Sequence, residues 1–213
     1  MPNTLTPPKR RLANRDRIEA KIVGEAVRVF AECGYEGASV ATVAENAGLS
    51  KQNLMYYFPT KQALYQRVLD GVLDDWLERM ESLADPGRDP REVLRAYVGA
   101  KLRFSREQPL ASRVYAMEVL GGAQLYGEQI RQRVVPLVRK DIEVFERWID
   151  EGRIARVNAT HLLFAIWAMT QSYADFAAQM QLVLGREQLA GQDFDDALEL
   201  IIRMVLCTIL PPG

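Results

Sequence analysis

The chain has 213 residues, 48% of them hydrophobic, and a formal net charge of −1. That length and apolar content suffice for a small head plus one larger packed domain, and a near-zero charge excludes a polyanion binder that works through bulk charge alone. A single histidine and two cysteines without CxxC spacing leave no zinc site and no disulfide framework, so Cys33 and Cys207, both in apolar helical contexts, read as core residues of a reducing compartment.

Residues 1–14 lack the apolar run of a secretory signal, and no later stretch reaches transmembrane length, so a cytoplasmic protein without a membrane partner is expected. Pro7 and Pro8 argue against a helix there. Lys9, Arg10 and Arg11 form a basic arm, which either reaches a DNA groove or is a solvated disordered tail. A first helix is predicted from about Arg15 to Cys33, with Ile18, Ile22, Ala26, Val29 and Phe30 inward and Gly34 and Gly37 as stop signals. Ser39 caps a short helix over 40–46, which Gly48 ends. Ser50 caps a second over Lys51 to Tyr57, which Pro59 prevents from continuing.

Helix, glycine turn and helix form a unit whose second helix can enter a major groove. Lys51, Gln52 and Asn53 occupy its first turn, where an ammonium and two carboxamides suit purine edges. Ser39, Ser50, Tyr56, Tyr57 and Lys61 can donate to phosphate oxygens and set position without reading sequence. Charge follows the same division: residues 1–62 carry 9 Lys/Arg and 6 Asp/Glu, whereas residues 63–213 carry 18 and 22.

Gly37, Ser39, Val40, Val43, Ala44, Ala47, Gly48, Leu49, Ser50, Leu54, Tyr56, Phe58 and Lys61 together resemble the N-terminal domain of the TetR family of transcriptional regulators. The resemblance implies a double-stranded DNA operator as partner, a small-molecule effector and a homodimer. Gln52, Met55 and Tyr57 depart from the residues usual in that family, and they fall on the DNA-facing side, so the operator sequence cannot be borrowed.

Beyond Lys61 six further helices are expected. They run from Thr60 to about Pro86, from Asp89-Pro90 to about Arg106, from Pro109 to Gly121, from about Gln124 to Glu151, from Asn158 or Thr160 to Leu184, and from about Gln192 to Leu210. No segment alternates like a strand. The expected fold is therefore all-α with about nine helices: a disordered arm over 1–14, a three-helix helix-turn-helix DNA-binding domain over 15–61, and a helical ligand-binding and dimerisation domain over 62–213.

The last two helices are apolar around more of their circumference than one buried face requires, which points to a two-fold four-helix bundle between two copies. Within residues 162–180, Trp167, Gln171 and Asp175 stand four apart on one face. They are either satisfied core groups or the wall of a pocket for a small, planar, polar ligand, in which a carboxamide donates and accepts side by side and tryptophan stacks. Trp76, on the helix leaving the head, could close that pocket.

Residues 105–123 and 161–177 are similar to the corresponding stretches of pyrimidine-utilisation regulators within the TetR family, through Ser105, Pro109, Ala111, Ser112, Arg113, Met117 and Glu118, and through Trp167, Ala168, Thr170, Gln171, Tyr173, Ala174, Asp175 and Phe176. What this implies is a repressor that senses uracil or thymine to control nucleobase catabolism, with Ser112, Arg113, Thr170 and Tyr173 joining the ligand-binding set. A regulator of efflux or of other catabolic genes with a lipophilic effector is the alternative, and the Trp, Gln, Thr and Asp of one face count against it. An enzyme is not expected, because His161 has no nucleophile or metal partner at a recognisable spacing, and no cofactor is implied.

Overall fold

The computed structural model describes residues 8–80 and 87–210, so the first part of the expected arm, residues 1–7, lies outside the described residues. Every described element is helical. The chain divides between Gly71 and Val72 into two compact units, ten residues later than the Lys61 boundary expected.

In the first unit α1 (Pro8–Gly37) begins at Pro8 instead of about Arg15. Proline is tolerated in a first helical turn, where its missing amide would have had no partner. Gly34 breaks α1 with φ 68° and ψ 177°, at the expected stop. Then come α2 (Val40–Asn46) and α3 (Lys51–Tyr57), with Gly48 at φ 68° between them. The turn holds because the Gly48 and Leu49 amides donate to Glu45 O and Ala44 O at 2.9 and 2.8 Å. Ile22, Ala26, Phe30, Val43, Leu54 and Leu64 fill the core of this unit. α4 (Lys61–Met80) continues through the boundary into the second unit.

The second unit contains α5 (Pro90–Glu107), α6 (Pro109–Leu120), α7 (Gly127–Gln129), α8 (Val135–Asp150), α9 (Ala159–Asp175), α10 (Ala177–Leu184) and α11 (Gly191–Ile209). Asp89 accepts from Arg91 N at 3.0 Å to open α5, and Asn158 accepts from His161 N at 3.1 Å to open α9. The long helix expected over 124–151 is interrupted by a π-helical turn, Ile130–Val134. Pro136 supplies no amide, and its ring crowds the carbonyl four residues earlier, so the ladder widens there. The helix expected to reach Leu184 is also broken, at Phe176, whose φ −112° and ψ 20° separate α9 from α10. Hydrogen bonding survives the break, since the Phe176 amide reaches Ser172 O and the Gln179 amide reaches Phe176 O.

Tyr97, Phe145, Trp148, Leu163, Ile166, Ile201 and Ile202 are central to the core of this unit. Both cysteines are exposed, contrary to expectation. Cys207 follows Leu200 and Met204 along the outward stripe of α11, and apolar neighbours in sequence do not bury a residue that the helical repeat turns outward. Among the described residues no helix is long and apolar enough to cross a membrane, and no group of His, Cys, Asp or Glu could hold a metal.

A Cβ on Gly48 would meet only Lys21 Nζ, at 3.5 Å, so the substitution is limited by backbone conformation. Gly48→Ala is expected to lower unfolding stability by about 1–2 kcal/mol, as read from the urea midpoint of the full chain; an unshifted midpoint contradicts the turn geometry.

Candidate functional site

In the head, Ser39 Oγ accepts from Ala41 N at 3.2 Å and Ser50 Oγ accepts from Asn53 N at 3.1 Å. Each hydroxyl keeps its own hydrogen free to donate outward. Leu54 is fully buried and anchors α3, leaving Lys51, Gln52 and Asn53 exposed on its opening turn. Tyr56 is 74% exposed, and half-buried Tyr57 meets it edge to face at 5.4 Å. Lys61 differs from the rest. Its ammonium donates to Glu36 O and Ala38 O, both at 3.2 Å, and lies 4.5 Å from the centre of the Tyr35 ring. Two of the three N–H groups of the expected phosphate donor thus tie the start of α4 to the end of α1.

In the body, the Trp167–Gln171–Asp175 stripe of α9 meets α5 and α6. Trp167 Nε1 donates to Tyr97 Oη at 2.7 Å, and Ser112 Oγ donates to Asp175 Oδ1 at 2.7 Å. Burial raises the Asp175 carboxyl, and Ser112, Arg113 and Lys101 oppose that rise. Gln171 is half-buried and its side chain makes no hydrogen bond among the described residues. Trp76 stands edge to face against Tyr115 at 4.6 Å and Phe104 at 5.5 Å.

Two expected ligand residues are placed otherwise. The Thr170 hydroxyl is fully buried and turned back on its own helix, donating to Ile166 O at 2.7 Å. Tyr173 packs on Phe194, ring centres 5.7 Å apart, beside a groove of about 590 Å³ whose lining includes Phe176, Met180 and Leu200.

Three residues that were not anticipated complete the cluster: Tyr97, Lys101 and Asp141. The Lys101 ammonium lies 5.0, 5.6 and 5.9 Å from the ring centres of Trp76, Trp167 and Tyr97. Burial lowers it to about 8, against the raising influence of Asp141 and Asp175. Asp141, 1% exposed on α8, has an Oδ2 with no hydrogen-bond partner, and burial pushes its carboxyl up to about 7 while Lys101 pulls it down. A signal for all three was present. Tyr97, Lys101 and Ser105 repeat the four-residue spacing of the α9 stripe, and Asp141 precedes the buried residues Val144, Phe145 and Trp148 at helical intervals.

Residues 22–68 match the family described as bacterial regulatory proteins, tetR family, and residues 69–212 match the YcdC-like protein, C-terminal region. The chain is 36% identical over 190 residues to the HTH-type transcriptional regulator RutR of Escherichia coli (strain K12), covering 89% of each. Its fold is similar to that of the ketosteroid transcriptional regulator KstR2 of Mycobacterium tuberculosis, with a TM-score of 0.74 at 18% identity over 91% of this chain and 95% of that one. It is also similar to AibR in complex with isovaleryl coenzyme A and operator DNA, with a TM-score of 0.68 at 20% identity over 88% and 97%.

A carboxyl whose folded pKa lies above its unfolded one holds its proton more tightly in the native state. Asp141 therefore contributes most at low pH, and that contribution is lost as pH rises from the ordinary value of 3.8 to about 7. Asp141→Asn is expected to gain stability relative to wild type across that window, by roughly 1.4 kcal/mol per pH unit. Denaturant titrations of both proteins at pH 5, 6 and 7 provide the check, and parallel stability profiles contradict it.

Proposed function

This chain belongs to the TetR family of bacterial regulatory proteins and is a DNA-binding transcriptional regulator, not an enzyme; we propose that it is a cytoplasmic homodimeric repressor whose effector is a pyrimidine such as uracil or thymine. The observation that carries the effector reading is the body cluster. Gln171, half-buried and with no side-chain hydrogen bond among the described residues, stands one turn from Trp167, and a free carboxamide beside a tryptophan ring supports a ligand with a lactam or imide edge. The resemblance of residues 105–123 and 161–177 to pyrimidine-utilisation regulators supports the same ligand.

On DNA, Lys51, Gln52 and Asn53 read base edges, while Ser39, Ser50, Tyr56 and Tyr57 hold phosphates. Lys61 acts indirectly by fixing α4 to the end of α1. Phe164, Phe176, Leu182, Val183, Leu200 and Met204 are large, apolar and exposed on α9, α10 and α11 and at the break between α9 and α10, which supports a dimer face there. Phe194, Ile201, Ile202 and Val205 point inward instead, so charge placed on them tests folding and not assembly.

Because α4 is continuous from Lys61 past Trp76, an effector against Trp76 acts on the helix that anchors the head. Such an effector shifts operator affinity only by binding two arrangements unequally. In fluorescence anisotropy on DNA from upstream of its own gene, saturating uracil is expected to weaken operator binding by about 1–3 kcal/mol; an unchanged isotherm contradicts the effector. Calorimetry of Gln171→Leu should show uracil affinity lowered about tenfold or more, and equal affinity counts against its role. Light scattering should give a dimer for the wild type and a monomer for the doubly substituted Leu200→Glu, Met204→Glu protein. A wild-type monomer contradicts the interface.

A further inference from the structure

Among the described residues of the body three charged side chains are buried: Lys101, Glu118 and Asp141. Glu118 is satisfied, because its Oε1 accepts from the Leu125 and Tyr126 amides at 2.8 and 3.0 Å. The other two are not. Lys101 makes ring contacts but no hydrogen bond among the described residues, and Asp141 Oδ2 has no partner. Each feels the charge of the other, yet no ion pair within 4.0 Å joins them.

A charge pair buried for stability alone gains by closing, since an open pair keeps the full desolvation penalty and loses much of the Coulomb attraction. Here packing holds the two groups apart, on α5 and α8, with the rings of Trp76, Tyr97 and Trp167 around the ammonium. We propose that Lys101 and Asp141 are specificity determinants of the effector site, the ammonium donating to a carbonyl oxygen and the carboxylate accepting an N–H of the same planar, uncharged molecule, an amide-type edge of the lactam, imide or ureide class. This deepens the effector reading above and rests on it.

The charge balance selects that class. An anionic effector brings like charge to Asp141, and a cation brings it to Lys101. Asp175, the other acid that Lys101 feels, is held by Ser112 with Arg113 nearby. A neutral molecule with a donor and an acceptor meets both unpaired groups, and a flat one fits against tryptophan faces. Burial leaves the carboxyl near 7 and the ammonium near 8, as befits charged groups without direct partners.

The test is calorimetry with uracil, 1-methyluracil and 3-methyluracil against wild type, Asp141→Ala and Lys101→Met, with apo thermal melts confirming that each variant folds. Wild type is expected to reject the methylated form that blocks the N–H taken by Asp141, by about tenfold or more. In Asp141→Ala that ratio should collapse, because the methyl group occupies the vacated space. Lys101→Met should weaken all three ligands by about tenfold or more. A merely structural Asp141 lowers all affinities by one factor or none and keeps the ratio, which overturns the proposal while leaving the pyrimidine reading intact. If wild type binds no uracil, the same comparison runs with hydantoin and its N-methyl derivatives. Discrimination there that depends on Asp141 keeps the pair and removes the pyrimidine, and no binding to either set overturns both.

Discussion

The body is organised around one awkward group, the ammonium of Lys101, held away from water among ring faces. Desolvating such an ion costs several kcal/mol. Ring contacts return about 0.5–2 kcal/mol each, and Asp141 and Asp175 add attraction across a gap. That balance constrains the neighbours. Trp167 is oriented by its hydrogen bond to Tyr97, Trp76 is wedged by Phe104 and Tyr115, and Asp175 is steered by Ser112. Loosening any of these exposes or strands the charge, so each ring and polar group is constrained by the others.

The head is built on a different economy. Its two short helices carry few core residues, and their ends are held by Ser39, Ser50 and the Gly48 turn. Isolated helices of this length are marginal in water, so caps and the buried side chains of Val43 and Leu54 decide whether the reading surface exists. The Lys61 tie joins that surface to α4. Within the body, Arg133 of the π-helical turn pairs with Asp74 of α4. A pair this exposed contributes at most about 1 kcal/mol.

The boundaries of α2, α3 and α6 were legible because each is punctuated by serine, glycine or proline with a local mechanism. The break at Phe176 was not, since nothing in the local sequence opposes helix there. Pro136 lies inside the helix expected over 124–151, and the helix survives it by widening into a π turn instead of stopping. In the candidate site, the α9 stripe was legible because polar groups four apart interrupt an apolar helix. Lys101 and Asp141 lie on different helices, and only tertiary packing gathers them into one cluster. Thr170 and Tyr173 lie on the same helix as Trp167, but the Thr170 hydroxyl turns back on Ile166 O and Tyr173 packs on Phe194.

The central claim is that the Lys101–Asp141 cluster, and no other part of the body, receives the effector. A crystal structure of the full chain grown with uracil tests it most directly. The predicted result is a flat ligand against Trp76 and Trp167, with one oxygen within about 3 Å of Lys101 Nζ and one ring nitrogen within about 3 Å of Asp141 Oδ2. Uracil bound elsewhere, or Lys101 and Asp141 closed onto each other with the ligand absent from between them, would contradict it.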